Sequence, residues 1–132
     1  MSHHRETVTA IGAPAAIGPY SHAVAASAGR LLFCSGQIPL DPDSGELVGS
    51  TPAEQAEQCL VNLRAVVTAG GATLADTVRC TVYMTDLSAF AEVNEVYGRF
   101  FDADPPARVA IGVSALPKGA QVEIDAIVAL PS

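Results

Sequence analysis

Positive charge is scarce in this chain. Its 132 residues hold seven Lys and Arg against fourteen Asp and Glu, a net charge of −7, and Lys118 is the single lysine. No basic run is present, so there is no electrostatic footprint for a phosphate backbone, and nucleic acid is not an expected partner. Cysteine is sparse as well: Cys34, Cys59 and Cys80 are widely spaced, with no CxxC or Cys/His pairing. An odd, scattered set argues against a disulfide framework and a structural metal, and it fits a reducing cytoplasm. The opening "MSHHRETV" lacks the apolar segment of a leader. No run approaches the roughly 20 apolar residues needed to span a bilayer, so no membrane role is expected. His3 and His4 read as inert side chains on a frayed terminus, with residues 1–5 expected to be flexible. No GxSxG elbow, GxGxxG phosphate loop, internal repeat or low-complexity segment occurs anywhere.

What is present is apolar. Hydrophobic residues make up 49% of the chain and charged residues only 16%. A single domain of this length (1–132) has room for a real core, and the surplus apolar surface points to a subunit interface.

The clearest element is "TPAEQAEQCLVNLRAVVTAGG". Thr51 is the N-cap, Pro52 the first helical residue and Glu54 the partner in a capping box. Ala56, Cys59, Leu60, Leu63, Val66 and Val67 then fall on one face, and Gly70-Gly71 ends the helix. A second helix is expected from Ser88 to Phe101, with Phe90, Val93, Tyr97, Phe100 and Phe101 on its apolar side and Pro105-Pro106 beyond its end. Between them "TVRCTVYM" alternates as a strand, with Val78, Cys80, Val82 and Met84 on one face. Upstream, "ETVTAI" (6–11) reads as a short strand. "HAVAAS" and "RLLFCSG" read as a hairpin turned at Ala28-Gly29, and "DPDSGELVG" (41–49) as a turn-rich loop. The second strand of that hairpin is apolar on both faces, so one face needs cover that the two helices cannot provide.

The chain ends in "PPARVAIGVSALPKGAQVEIDAIVAL", two strands joined near Pro117-Lys118-Gly119. In the first, Val109, Ile111 and Val113 are expected to meet the helices, leaving Arg108, Ala110, Gly112 and Ser114 on the opposite face. In the second, Val122, Ile124, Ala126 and Val128 go inward, which puts Glu123 and Asp125 on the Arg108 side. The expected architecture is α+β in the order β-β-β-α-β-α-β-β, two helices on one face of a six-stranded sheet. With a turn near Lys118, Glu123 would pair close to Val113, roughly 15 Å from Arg108, too far for a direct ion pair.

An arginine at a strand start is usually surface decoration. Here the small neighbours Ala110 and Gly112 leave space above the strand, and a guanidinium fork is the natural receptor for a planar carboxylate. Ser35 and Gly36, at the end of a strand, offer a hydroxyl and an approachable backbone N–H. Tyr20, held by the Gly18-Pro19 turn, is either a pocket wall or a packed loop aromatic. Asn94, beside the apolar stripe of the second helix, needs hydrogen-bond partners, locally or in a site. Cys34 reads as core, His22 as structural or surface, and Asp125 as solvated.

Together "APAAIGPYSHAV", "FCSGQIPLDPDSGELVG", "NLRAVVTAGGATLADTVRCTVYMTDLSAFAEVNEVYGRFF" and the terminal "PPARVAIGVSALPKGAQVEIDAIVAL" resemble the RidA (YjgF-type) enamine/imine deaminase family, over about residues 9–130. The resemblance implies a chorismate-mutase-like fold assembled as a homotrimer, with a pocket at each subunit interface and no metal or organic cofactor. It implies hydrolysis of 2-enamino and 2-imino acids, such as 2-aminoacrylate and 2-iminobutyrate, to the 2-oxo acid and ammonia. Carried over by position, Arg108 of "PAR" would grip the substrate carboxylate beside Ser35 and Gly36 of "SGQ". Tyr20, Asn94 and Glu123 would complete the site, with Arg108 and Glu123 as the catalytic pair. One position departs: two residues after the arginine, many similar chains carry Cys, Ser or Thr, and this one has Ala110, which offers neither thiol nor hydroxyl. The competing reading is a non-catalytic trimeric protein that binds or senses 2-oxo or amino acids; retention of Glu123 favours the enzyme.

Overall fold

The structure, a computed structural model, describes residues 4–27, 29–101 and 103–131. Its strands are β1 (Arg5–Val8), β2 (Ala23–Ala26), β3 (Leu31–Gln37), β4 (Thr77–Met84), β5 (Ala107–Gly112) and β6 (Val122–Ala129). The helices are α1 (Pro52–Ala69) and α2 (Phe90–Phe100), so the element order matches the expected one.

Helix α1 begins as its sequence dictates. Thr51 is extended, its hydroxyl accepts from the Glu54 N–H at 3.2 Å, and Glu54 Oε1 accepts from the Thr51 N–H at 3.2 Å. The helix buries Ala56, Cys59, Leu60, Leu63 and Val67 against the sheet and α2. Helix α2 is shorter than expected, because residues 87–89 form a separate 3₁₀ turn in which the Asp86 carboxylate caps the Ser88 N–H. Val93, Val96 and Tyr97 are its buried side. Among the described residues, no helix is long and apolar enough to cross a membrane.

The strands do not form the single six-stranded sheet that was expected. Hydrogen bonds divide them into a four-stranded sheet, β3-β6-β4-β5, and a two-stranded sheet, β1-β2. Strand β2 therefore pairs with β1, Val24 opposite Thr7, and not with β3 as a hairpin; Ala28 of the expected turn lies outside the described residues. The other correction concerns the terminal pair. β5 is parallel to β4, and β6 is antiparallel to β4 on its other side, so β4 separates them. The crossover β4–α2–β5 explains this: a strand, a packed helix and a following strand form a parallel unit, and β5 must land beside β4.

That order inverts the expected facing of β5. Arg108 is in register with Cys80, Ala110 with Val82 and Gly112 with Met84, and those β4 residues are at most 1% exposed. Arg108, Ala110 and Gly112 thus share the helix side, and Val109 and Ile111 face the other way. The apolar alternation of β5 misled because its inner positions are small, making room for α2 side chains, while its large residues lie on the open face. Glu123, in register with Tyr83, and Asp125, in register with Thr81, are on the open face as expected. Thr77, expected to point outward, is buried, since a register shift between Thr77 and Arg79 turns it inward.

The open face has no helix over it. Phe33 is 70% exposed, Leu31 48% and Ile111 40%, an apolar area of the kind sequence analysis assigned to a neighbouring subunit. The chain start is tied down as well. Arg5, expected in a loose terminus, donates from Nε to the Thr77 carbonyl at 2.6 Å and from Nη2 to the Asp104 carbonyl at 2.7 Å. His4 Nε2 lies 3.0 Å from Asp76 Oδ1, so it is an anchored side chain rather than an inert one. His3 lies outside the described residues.

Removing the α1 cap tests the local account. Thr51→Ala is expected to lower unfolding free energy by about 1 kcal/mol. In urea titration at fixed protein concentration, the midpoint should fall with the slope unchanged.

Candidate functional site

Arg108 enters a cage of rings. Its guanidinium carbon lies 5.0 Å from the Tyr97 ring centroid, 5.3 Å from Phe90 and 5.4 Å from Tyr20. Such faces attract a cation through their quadrupoles, and they also shield it from water. Nη1 donates to Asn94 Oδ1 at 2.6 Å, which gives Asn94 the partner it was expected to need. On the remaining side, a methyl group on Gly18 would come within 3.2 Å of Arg108 Nη2, so the glycine lets the loop close over the guanidinium.

Among the described residues, the ion pairs are His4–Asp76 and Arg99–Glu95, and neither involves Arg108. Burial pulls the Arg108 guanidinium below its ordinary value, opposed by Tyr97 and Tyr20. An arginine nonetheless stays charged in a protein. A half-buried cation with donors to spare and, among the described residues, no carboxylate partner can receive an anion. A cleft of about 670 Å³ touches the same strand edge and reaches the open face, with Tyr20, Arg79, Arg108, Val109 and Ile127 in its lining.

A second cluster forms around Glu123. The β3–β6 register shifts between Cys34 and Gln37, so Ser35 and Gly36 fall in a bulge outside the paired ladder. The Glu123 carboxylate rests against Gly36, in the space a side chain there would occupy. Ser35 and Gly36 are exposed and Glu123 is half-buried. This puts a hydroxyl, a carboxylate and bulged backbone within one small area, as acid–base work on a bound molecule requires. Asp125, expected to be solvated, is instead engaged. It accepts from the Thr81 N–H at 3.0 Å and the Tyr83 hydroxyl at 3.1 Å.

The candidate residues therefore separate into two groups. Tyr20, Asn94 and Arg108 meet on the helix side of the β5 edge. Ser35, Gly36 and Glu123 meet on and around β6 and β3, with Glu123 on the open face. Within one chain Arg108 and Glu123 are on opposite sides of the sheet. Phe90, Tyr97 and Gly18 are functional neighbours that sequence reasoning missed: the two aromatics satisfied the core pattern of α2, and nothing in their spacing signals a cation.

The three thiols are buried. Cys34 is 9% exposed, and Cys59 and Cys80 are 0%. Burial pushes all three up, Cys80 to about 12, so none is a thiolate near neutrality. Among the described residues, no cluster of three or more His, Cys, Asp or Glu could hold a metal ion.

A family model described as Endoribonuclease L-PSP matches residues 10–130. The chain belongs to that family, the RidA family. Protein DfrA of Myxococcus xanthus is 54% identical over 123 residues, covering 93% of this chain and 94% of the relative. The 2-iminobutanoate/2-iminopropanoate deaminase of Bos taurus is 45% identical, covering 93% and 88%. A solved Rid-family structure, YyfB from Yersinia pestis, of unknown function, superposes with a TM-score of 0.89 at 34% identity, covering 96% of this chain and 99% of its own. Ala110 is half-buried on the Arg108 side of β5 and packs against the core.

The contact between Gly36 and Glu123 can be tested directly. Gly36→Ala is expected to displace the Glu123 carboxylate while leaving Arg108 and its rings in place, as read from a crystal structure of the variant. An unmoved carboxylate would show that the contact has slack.

Proposed function

We propose that this RidA-family chain hydrolyses 2-enamino and 2-imino acids, of the 2-aminoacrylate and 2-iminobutyrate kind, to 2-oxo acids and ammonia. The observation that carries the reading is the Arg108 guanidinium, half-buried among rings and in no ion pair among the described residues, which suits a small carboxylate. The name of the bovine relative supports the substrate class.

The same reading needs an assembly. Arg108 and Glu123 are on opposite sides of the sheet, so one chain cannot bring both to one substrate. A homotrimer, in which the open face of each copy meets its neighbour, would bring the Arg108 cage of one protomer toward the Ser35–Gly36–Glu123 cluster of the next. The exposed Phe33, Leu31 and Ile111 support such a contact.

In that composite crevice the chemistry is short. An enamine first takes a proton at C3, and an imine one at nitrogen, to become the iminium, which is electrophilic at C2. Arg108 holds the carboxylate through two N–H bonds, with Asn94 steadying the guanidinium, and so fixes C2 in position. Glu123 takes a proton from water as its oxygen adds to C2, giving a tetrahedral carbinolamine. That proton passes to the nitrogen, the C–N bond breaks and ammonia leaves, while the hydroxyl proton goes to the Glu123 carboxylate as the oxygen becomes the 2-oxo group. Ser35 and the bulged backbone at Gly36 would hydrogen-bond the oxygen that carries charge.

A ribonuclease role, suggested by the family model's description, gains no support from a chain with net charge −7 and seven cationic residues in all. A binding protein without turnover is the reading that applies if copies do not assemble, because a lone chain has the receptor without the base.

Arg108→Ala should weaken binding of 2-oxobutyrate, measured by calorimetry, by about a hundredfold, the loss of a charge-assisted pair of bonds. Glu123→Gln should keep that binding and lower kcat for freshly generated 2-iminobutyrate by about 10²–10⁴. Wild-type kcat in Glu123→Gln would refute the assigned chemistry. Phe33→Asp should lower the oligomer mass in sedimentation and abolish turnover together; loss of mass without loss of turnover would refute the composite crevice.

A further inference from the structure

Residues 9–17, between β1 and β2, are exposed throughout, including Ile11 and Ile17. Such a loop has little packing to shape it, yet it leads directly to Gly18 and Tyr20, which wall the Arg108 guanidinium. Its shape comes from hydrogen bonds at its far end. The Ala10 N–H donates to His22 Nδ1 at 2.9 Å, and His22 Nε2 lies 2.7 Å from the Pro14 carbonyl. Because Nδ1 accepts, the ring proton is on Nε2 and is donated to Pro14. The imidazole is therefore neutral, and it joins the entry and the middle of the loop to its exit. One residue earlier, Ser21 Oγ donates to the Pro105 carbonyl at 2.5 Å and the Ser21 N–H to the Pro106 carbonyl at 3.2 Å. Those prolines lead straight into β5 and Arg108.

We infer that His22 is a positioning residue for the anion site, its neutral ring fixing the loop so that Gly18 and Tyr20 close on Arg108, with Ser21 setting the register of that wall against β5. The inference rests on the reading of Arg108 as a carboxylate receptor. It differs from space filling, because the two bonds require one acceptor and one donor held about 2 Å apart on the same side chain. A glutamine amide supplies both; a leucine of similar size supplies neither.

The test compares wild type, His22→Gln and His22→Leu as intact assemblies, with Ser21→Ala as a fourth protein. KM and kcat are measured on 2-iminobutyrate, binding on 2-oxobutyrate, and amide hydrogen exchange at Ala10. His22→Leu should raise KM and the 2-oxobutyrate Kd about tenfold, with kcat little changed and faster exchange at Ala10; His22→Gln should stay near wild type in all four. Ser21→Ala, which keeps its backbone bond, should show a smaller rise in KM. Equal KM in His22→Leu and wild type would overturn the inference, as would a glutamine variant as impaired as the leucine one. If His22→Leu fails to fold, the glutamine and Ser21→Ala proteins still decide: near-wild-type KM in the first with a raised KM in the second supports it, and any other pattern overturns it. A wild type that neither binds 2-oxobutyrate nor turns over the imine refutes the Arg108 reading instead. The inference falls with it, and exchange at Ala10 then reports on the loop alone.

Discussion

A half-buried cation in no ion pair among the described residues is the constraint around which this protein is organised. Moving a guanidinium away from water is unfavourable unless something else solvates it. Here the solvation is assembled from three ring faces and one amide oxygen, drawn from α2 and from the loop before β2. Each of these is a weak substitute for water, and none neutralises the charge. What remains is an attraction reserved for a small anion.

The sheet order follows from the same place. For Arg108 to reach Phe90, Asn94 and Tyr97, its strand must lie at the edge next to the helix that carries them, and the parallel crossover through α2 puts it there. The inner side of that strand then has to be shallow, which Ala110 and Gly112 provide. On Gly112 the fit is close enough that an added methyl would meet the Leu87 side chain at 3.1 Å. The opposite face, with Glu123 and the exposed Phe33, carries no helix. Strand register, which fixes facing residue by residue, thus separates Arg108 from Glu123 within one chain.

Much of this was legible in the residues. The α1 capping box, its apolar stripe and the alternation of β4 are local patterns, and local patterns survive folding. Arg108, Asn94, Tyr20, Ser35, Gly36 and Glu123 were recognisable as candidates by chemistry and by resemblance. Their grouping was not. The stretch 105–130 looks like a hairpin when it is read alone, because a Pro-Lys-Gly turn links two apolar strands. Only the pairing with β4, distant in sequence, reveals that the two strands never touch as neighbours. The facing of β5 failed for a related reason: large residues were assumed to point inward, but at an edge beside a bulky helix the small ones do. Asp125 was misjudged because its partners, Thr81 and Tyr83, come from another strand.

The sealed sulfurs have a consequence of their own. Cys34, Cys59 and Cys80 are turned into the interior, and the strand position two residues after Arg108 holds a methyl group. Cys59 and Cys80, with no exposed surface, are screened from electrophiles and oxidants. Cys34 borders a cleft beside Phe33 and Asp125, so alkylating or oxidising chemistry would reach it before the other two.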